Sequence, residues 1–311
     1  MFRFSIIKIL RAIITMWLVM TFVFVVLRAT GDPVEQLLPD DAEPAVLDFY
    51  RKQWGLDQPL HIQYIRYLQA LSQGDFGISF KNNLPALELI VERIPKTAIL
   101  GGAATLLGLL FGIPLGIIAA VRKNTWFDRL VMSFAVFGFS MPNFFLGILL
   151  IILFSLNLRW LPSSGSDTIW HLIMPVITLG TAFGASIARY TRSSMIDVLN
   201  KPYMLTAASK GAARQRRTYL HALPNAALPL VTIIGLKMGE ILGGAVVTET
   251  VFAWPGLGRL LVVSVATRDL AVVQCILMLI ALTMVMANLA VDIIYGCLDP
   301  RINVRSSKSR N

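Results

Sequence analysis

The sequence predicts an all-α polytopic membrane protein of about six transmembrane helices, and three observations carry the prediction. The 311 residues are 56% hydrophobic and 15% charged, with a mean hydropathy of +0.67, far from the balance of a water-soluble domain. Several apolar runs reach about twenty residues, the length that crosses a roughly 30 Å hydrocarbon layer. The Lys and Arg residues behind the net charge of +10 fall in short stretches between those runs, where they orient spans in a membrane, and form no basic domain for nucleic acid.

The first apolar run, about Ile9 to Leu27, starts among Arg3, Lys8 and Arg11, so the positive-inside rule places the N-terminus in the cytoplasm. The run is longer than a signal peptide's apolar region and no small-residue cleavage site follows it; residues 1–28 are expected to stay attached as the cytoplasmic end and first span. Residues 29–96 are polar, with Asp32, Glu35, Asp40, Asp41, Glu43 and Asp48 near the start. Turn signals at Gly31-Asp32-Pro33 and Pro39 predict an extracytoplasmic subdomain of mixed short elements there.

The second span, about Thr97 to Ala120, returns the chain to Arg122, Lys123 and Arg129. The third, about Leu130 to Leu156, leads out to a loop with Trp160, Pro162, Trp170 and His171, aromatics suited to the interface. The fourth covers about Leu172 to Ala188. A basic segment from Arg189 to Asn225 carries Arg192, Lys201, Lys210, Arg214, Arg216 and Arg217. The fifth span, about Ala226 to Val247, leads to an outer turn at Trp254-Pro255-Gly256-Leu257-Gly258, and the sixth, about Ala271 to Tyr295, returns. Residues 97–297 thus form a core of five spans, and the basic tail 298–311 is cytoplasmic.

Gly108, Gly112 and Gly116 in the second span, and Gly235, Gly239 and Gly243 in the fifth, recur every fourth residue. That spacing puts a groove down one helix face, letting another backbone approach where lipid supplies no hydrophobic drive. Pro114 and Pro142 lie within spans, where each removes a backbone hydrogen bond. Met141, Pro142 and Asn143 therefore mark either a break in the third span or an ordinary proline kink. Lys237 and Glu240 stand three apart in the fifth span, and each alone costs about 3 kcal/mol at mid-membrane. They line a translocation path or neutralise each other within the bundle. Met141, Asn143 and Glu249, the last near the outer mouth, are further pathway candidates.

Catalytic signatures are missing from the sequence. It contains no G-x-x-x-x-G-K-[ST] loop, no H-E-x-x-H and no G-x-S-x-G, so the chain is not expected to hydrolyse ATP itself. Cys275 and Cys297 lack metal-ligand spacing. A standalone secondary transporter or channel would require internal repeats and paired broken helices, and the two halves show no convincing repeat.

The segment Tyr203-Met204-Leu205-Thr206-Ala207-Ala208-Ser209-Lys210-Gly211, followed after nine residues by His221-Ala222-Leu223-Pro224, resembles the loop motif E-A-A, three residues, G, nine residues, I-x-L-P of ABC importer permeases. Ala207, Gly211, Leu223 and Pro224 fall at that family's spacing; Leu205, Thr206 and His221 stand where it has Glu, Ala and Ile. The resemblance extends through Gly31-Asp32-Pro33, Gly55-Leu56-Asp57-Gln58-Pro59-Leu60, Gly74-Asp75-Phe76-Gly77-Ile78-Ser79 and Ser140-Met141-Pro142-Asn143-Phe144. It continues in Trp160-Leu161-Pro162, Thr248-Glu249-Thr250-Val251-Phe252, Trp254 to Arg259 and Leu298-Asp299-Pro300-Arg301. The chain is similar throughout to the first permease subunit of dipeptide, oligopeptide and nickel importers.

That resemblance implies the type I ABC importer permease fold in the inner membrane of a bacterium. It also implies a second homologous permease subunit, two ATP-binding subunits and an extracytoplasmic solute-binding protein as partners. ATP and Mg would be used by those partner subunits, with no cofactor or metal on this chain. Peptides are the implied cargo, with nickel, metal chelates or glutathione-like compounds as the alternative. A short amphipathic helix over Tyr203 to Lys210, ended by Gly211, would lie along the membrane and seat in a groove of an ATPase.

Overall fold

The computed structural model describes residues 2–29, 34, 43–53, 55–79 and 81–298; within these, side chains are described except at 2–9, 12, 27–29, 53, 228, 238–244, 288 and 290–298. The tail from 299 and Gly31-Asp32-Pro33 therefore lie outside the described residues. The chain is helical: α1 (Phe2–Ala29), α2 (Pro44–Gln53), α3 (Leu60–Ser72), α4 (Ala86–Val91), α5 (Ile94–Val121), α6 (Trp126–Ser140), α7 (Asn143–Leu150), α8 (Trp170–Leu199), α9 (Pro202–Ser209), α10 (Arg214–Arg216), α11 (Leu223–Val251), α12 (Leu257–Ala266) and α13 (Leu270–Leu298). A π-helical stretch, Ile151–Asn157, continues α7, and another, Arg217–Ala222, joins α10 to α11. Among the described residues no strand forms; an isolated bridge pairs Ile78 with Pro85.

By length and composition three helices can cross a membrane, and up to five if each of two bent pairs counts as one span; α1 adds a shorter described apolar stretch, Ile13–Val26. The third span corrects the single helix expected over Leu130 to Leu156: α6 and the helix from Asn143 meet at 100°. Met141 is extended (φ −75°, ψ 122°) and Pro142 precedes α7 at φ −60°, ψ 135°. Proline cannot donate to the ladder of α6 and drives the residue before it out of the helical region. The fourth helix runs 30 residues to Leu199, past the expected end at Ala188, because nothing breaks it before Asn200-Lys201-Pro202. The helical run from Arg214 bends by 54° before Pro229. Between the fifth and sixth spans, where the sequence shows a turn, the structure also places the ten-residue α12.

Packing divides the described residues into two units, one of Lys96–Arg259 with 286–298, the other of Phe2–Pro95 with Leu260–Val285. In the first, α5 lies against α8 along a seam of glycines. A Cβ added to Gly112 would lie 2.7 Å from the Gly184 carbonyl oxygen, and one at Gly116 2.6 Å from that of Ala188, while Gly184 faces Gly108 itself. Backbone touches backbone there, so dispersion acts over a dense contact in the absence of hydrophobic drive. Leu100, Ala104, Leu179, Ala245 and Trp254 fill one cluster of this unit, and Ile117, Ala120, Met195, Met204, Ala222 and Ala226 another.

The second unit is held by aromatic contacts between α1 and α3. The Phe24 ring lies 5.2 Å from that of Tyr64 and 5.4 Å from that of Tyr67, within the range of favourable ring pairs. The Tyr64 and Thr21 hydroxyls are 2.6 Å apart. Burial, then the neighbouring Tyr64, push the Tyr67 hydroxyl up to about 12, and it donates to the Met20 carbonyl at 3.4 Å. The Gln63 amide donates to the Leu56 and Gln58 carbonyls at 3.0 and 2.7 Å, closing the turn at Gly55, whose φ of +66° suits glycine. Ser79 donates to buried Asp269, tying the Gly74–Ser79 turn to the start of α13.

Candidate functional site

The segment between α8 and α11 is built as a shelf. Pro202 occupies the first turn of α9, a position where its missing N–H costs nothing, and Gly211 ends the segment at φ +78°. Met204 is 3% exposed and packs into the cluster of Ile117, Met195 and Ala226. Leu205, one residue on, is 68% exposed, Thr206 is exposed and Ala207 half-buried. One face of α9 is thus anchored and the other is presented. The π-helical stretch after it buries Thr218 and Ala222 while leaving Tyr219 and Leu220 exposed; His221 and Leu223 are half-buried and Pro224 exposed. Arg214 donates to the Val121 carbonyl, capping the end of α5 with a cation.

An ion pair missed in the sequence joins α8, the helix that leads into the shelf, to α6. Arg192 Nε and an Nη donate to the two oxygens of Asp128 at 2.5 and 2.7 Å. The Asn124 amide donates to the same carboxylate at 2.9 Å, and the Thr125 hydroxyl accepts from the Asp128 amide as the cap of α6. Asp128 is 3% exposed, so this two-pronged, charge-assisted pair is also shielded. A D-R pair 64 residues apart has no local signature.

At the break of the third span, Met141 and Asn143 are half-buried and Pro142 exposed. Lys237 is half-buried on α11; the Glu240 side chain lies outside the described residues, as do Gly239 and Gly243, while Gly235 is half-buried. The pairing of Lys237 with Glu240 therefore lies outside the described residues.

Glu249, one of the pathway candidates, is 0% exposed. Its carboxylate accepts from the Thr97 hydroxyl at 2.7 Å and from the Gly258 and Arg259 amides at 2.7 and 3.1 Å. The last two are free amides of the first turn of α12, where the helix dipole favours an anion. Thr97 Oγ1 in turn accepts from the Leu257 amide at 2.8 Å, and Trp254 Nε1 donates to the Lys96 carbonyl at 3.0 Å. Gly256 and Gly258 are required here by close approach: a Cβ at Gly256 would overlap the Glu249 carboxylate, and one at Gly258 the Val246 backbone. The Thr-Glu-Thr and Trp-Pro-Gly-Leu-Gly pieces read separately in the sequence are one polar joint. Among the described residues, no three His, Cys, Asp or Glu side chains gather to hold a metal.

Comparison with known proteins bears on this architecture. A family model described as "Binding-protein-dependent transport system inner membrane component" matches residues 112–304, and one for the N-terminal part of such membrane components matches residues 1–101. A relative from Salmonella paratyphi A, named "Glutathione transport system permease protein GsiC", is 45% identical over 287 residues, covering 92% of this chain and 94% of the relative. The Escherichia coli K12 protein of the same name is 42% identical over 306 residues, 98% of this chain and 100% of the relative. Among solved structures, inward-facing MetNI, a methionine ABC transporter, aligns with a TM-score of 0.58 at 21% identity over 68% of this chain and 97% of that one. At that identity the likeness concerns the fold.

Proposed function

We propose, from the premise that this chain belongs to the binding-protein-dependent transport inner-membrane family and is an ABC importer permease subunit of a bacterial inner membrane, that its cargo is glutathione. The observation carrying this is the 42–45% identity, across nearly the whole chain, to proteins named as glutathione transport permeases. Glutathione is itself a tripeptide, so this cargo lies within the peptide class expected from the resemblance and coincides with its stated alternative.

In this reading a second permease subunit completes the pore, two ATP-binding subunits supply energy and an extracytoplasmic binding protein delivers the solute. The exposed face of α9 seats in an ATPase groove. Met204 anchors the opposite face, and the Asp128–Arg192 pair carries a push on α9 into α8 and α6. Rigid transmission of this kind needs a helix fixed at one side and free at the other.

The test is uptake of labelled glutathione by cells carrying the complete importer, with and without this chain. ATP-dependent uptake lost on deletion is expected; entry of dipeptides or nickel chelates with no entry of glutathione overturns the cargo. Gly211→Pro should abolish ATPase association or coupled uptake without preventing insertion. Retained ATP-dependent uptake in that variant overturns the coupling role of α9.

A further inference from the structure

Three helices of the first unit leave a groove between them. Helix α8 packs on α5 along the glycine seam and on α6, where Gly138 meets Thr181 and Ala185, so it forms the floor between two walls. The groove measures about 390 Å³. Phe111 on the α5 wall and Phe134 on the α6 wall are 56% and 67% exposed, whereas the floor presents Gly180, Gly184 and Ala188. Its depth comes from that difference in side-chain size. Every lining residue except Thr181 is apolar or glycine, and the Thr181 hydroxyl is spent on the Ile177 carbonyl at 2.6 Å. A polar solute finds no partner there; a hydrocarbon chain does.

The lining runs from Leu107 to Leu115 on α5 and from Gly180 to Ala188 on α8, about 12 Å of each helix axis, which is less than one leaflet of a roughly 30 Å hydrocarbon layer. One end is marked by charge. Phe127, the lining residue of α6 closest to the α5–α6 turn, has the Arg122 guanidinium 5.3 Å from its ring centre. The turn is fixed, because the Thr125 amide and hydroxyl both donate to the Arg122 carbonyl, at 3.1 and 2.6 Å. Arg214 reaches the neighbouring Val121 carbonyl. Arg122, Lys123 and Arg214 are all exposed. The carboxylate of this turn, Asp128, is taken by Arg192, and among the described residues no ion pair engages the three cations.

We propose that the groove holds one acyl chain of an anionic phospholipid whose phosphate is bound by Arg122, Lys123 and Arg214. A phospholipid matches both halves of the site in one molecule: a narrow flexible chain for the groove and an anion just beyond its end. Arginine forks take phosphate oxygens in pairs. Basic span ends face the cytoplasm in the positive-inside pattern, and basic pockets between spans on that side bind anionic headgroups. The rival occupant is a span of another subunit. Its cytoplasmic end would bring Lys and Arg of its own, setting like charge against like. The inference is independent of which solute the importer carries.

The test uses the complete importer in vesicles of phosphatidylcholine and phosphatidylglycerol in equal parts, with a photoactivatable group near the end of an acyl chain on one lipid or the other. Adducts at Leu130 and Phe134 should form about fivefold more from the phosphatidylglycerol probe. Leu106 and Leu110, exposed on α5 outside the groove, are the reference and should take both probes alike. Arg122→Gln combined with Lys123→Gln should bring the groove ratio down to that of the reference. Arg129→Gln, which removes a charge lining a separate cleft with Met132 and Ser133, should leave it unchanged.

Reference adducts with none in the groove overturn the proposal in favour of a protein occupant. Equal labelling of the groove by the two probes overturns it, since the chain would then be bulk lipid. A preference lost equally in Arg129→Gln overturns it too, because only the general charge of this rim would be at work. The comparison of the two probes in the unsubstituted importer decides the matter even if the double variant fails to assemble.

Discussion

The first unit keeps one buried carboxylate beside each end of α5, and the two are compensated in different ways. Glu249 meets Thr97 in the first turn of that helix; Asp128 follows its last turn, some 24 residues or about 36 Å away. Around Glu249 every donor is neutral: a hydroxyl and two amides of a helix N-terminus. Around Asp128 the main donor is a guanidinium from another helix. The first arrangement fixes a turn and can be assembled only in one geometry, since dipoles lose their effect within a turn. The second joins two helices, α6 and α8, by a longer-ranged charge.

Variants can break this contrast. The largest effect is expected from Glu249→Ala, which strands the Thr97 hydroxyl and the Gly258 and Arg259 amides, each worth about 1–3 kcal/mol when left unsatisfied. Thermal melting of the purified complex should fall sharply, with Glu249→Gln milder because it keeps one acceptor; an unchanged midpoint in the alanine variant removes the joint. Asp128→Asn comes next, at about 3 kcal/mol, because it leaves Arg192 partly buried without its partner. Adding Arg192→Leu should recover part of the loss, and a strictly additive double variant argues against the pair.

Between the two ends, Gly116→Ala should cost about 1–3 kcal/mol by overpacking the α5–α8 seam. Gly102→Ala on the same helix, with nothing within 4 Å of its Cβ position, is the control and should melt like the parent. Gly211→Ala should have the smallest effect on folding, about 1 kcal/mol for a left-handed position. Its signature is a lowered ratio of solute moved to ATP consumed, and a normal ratio would detach this turn from coupling.

Much of this molecule is local and therefore legible. Apolar length located the helices that are long and apolar enough to cross a membrane, since crossing hydrocarbon is a demand on each segment's own composition. The short helix over Pro202–Ser209, ended at Gly211, follows from residues in contact along the chain. The α5 glycine groove was visible as a period of four, although α8 as its occupant was not.

Other features depend on residues brought from far away. Nothing near Glu249 in the chain says that Thr97, 152 residues earlier, will meet it in a buried joint. Asp128 and Arg192, separated by 64 residues, look like two ordinary loop charges until α6 crosses α8. Pro142 marked a weak point in the third span, but its 100° angle comes from how the two half-helices pack. The sequence by itself determined which segments belong in a membrane, because each pays its solvation cost alone. Only the tertiary structure decided which charges are silenced and which stay open, because an ion's cost inside a bundle depends on partners that no local pattern specifies.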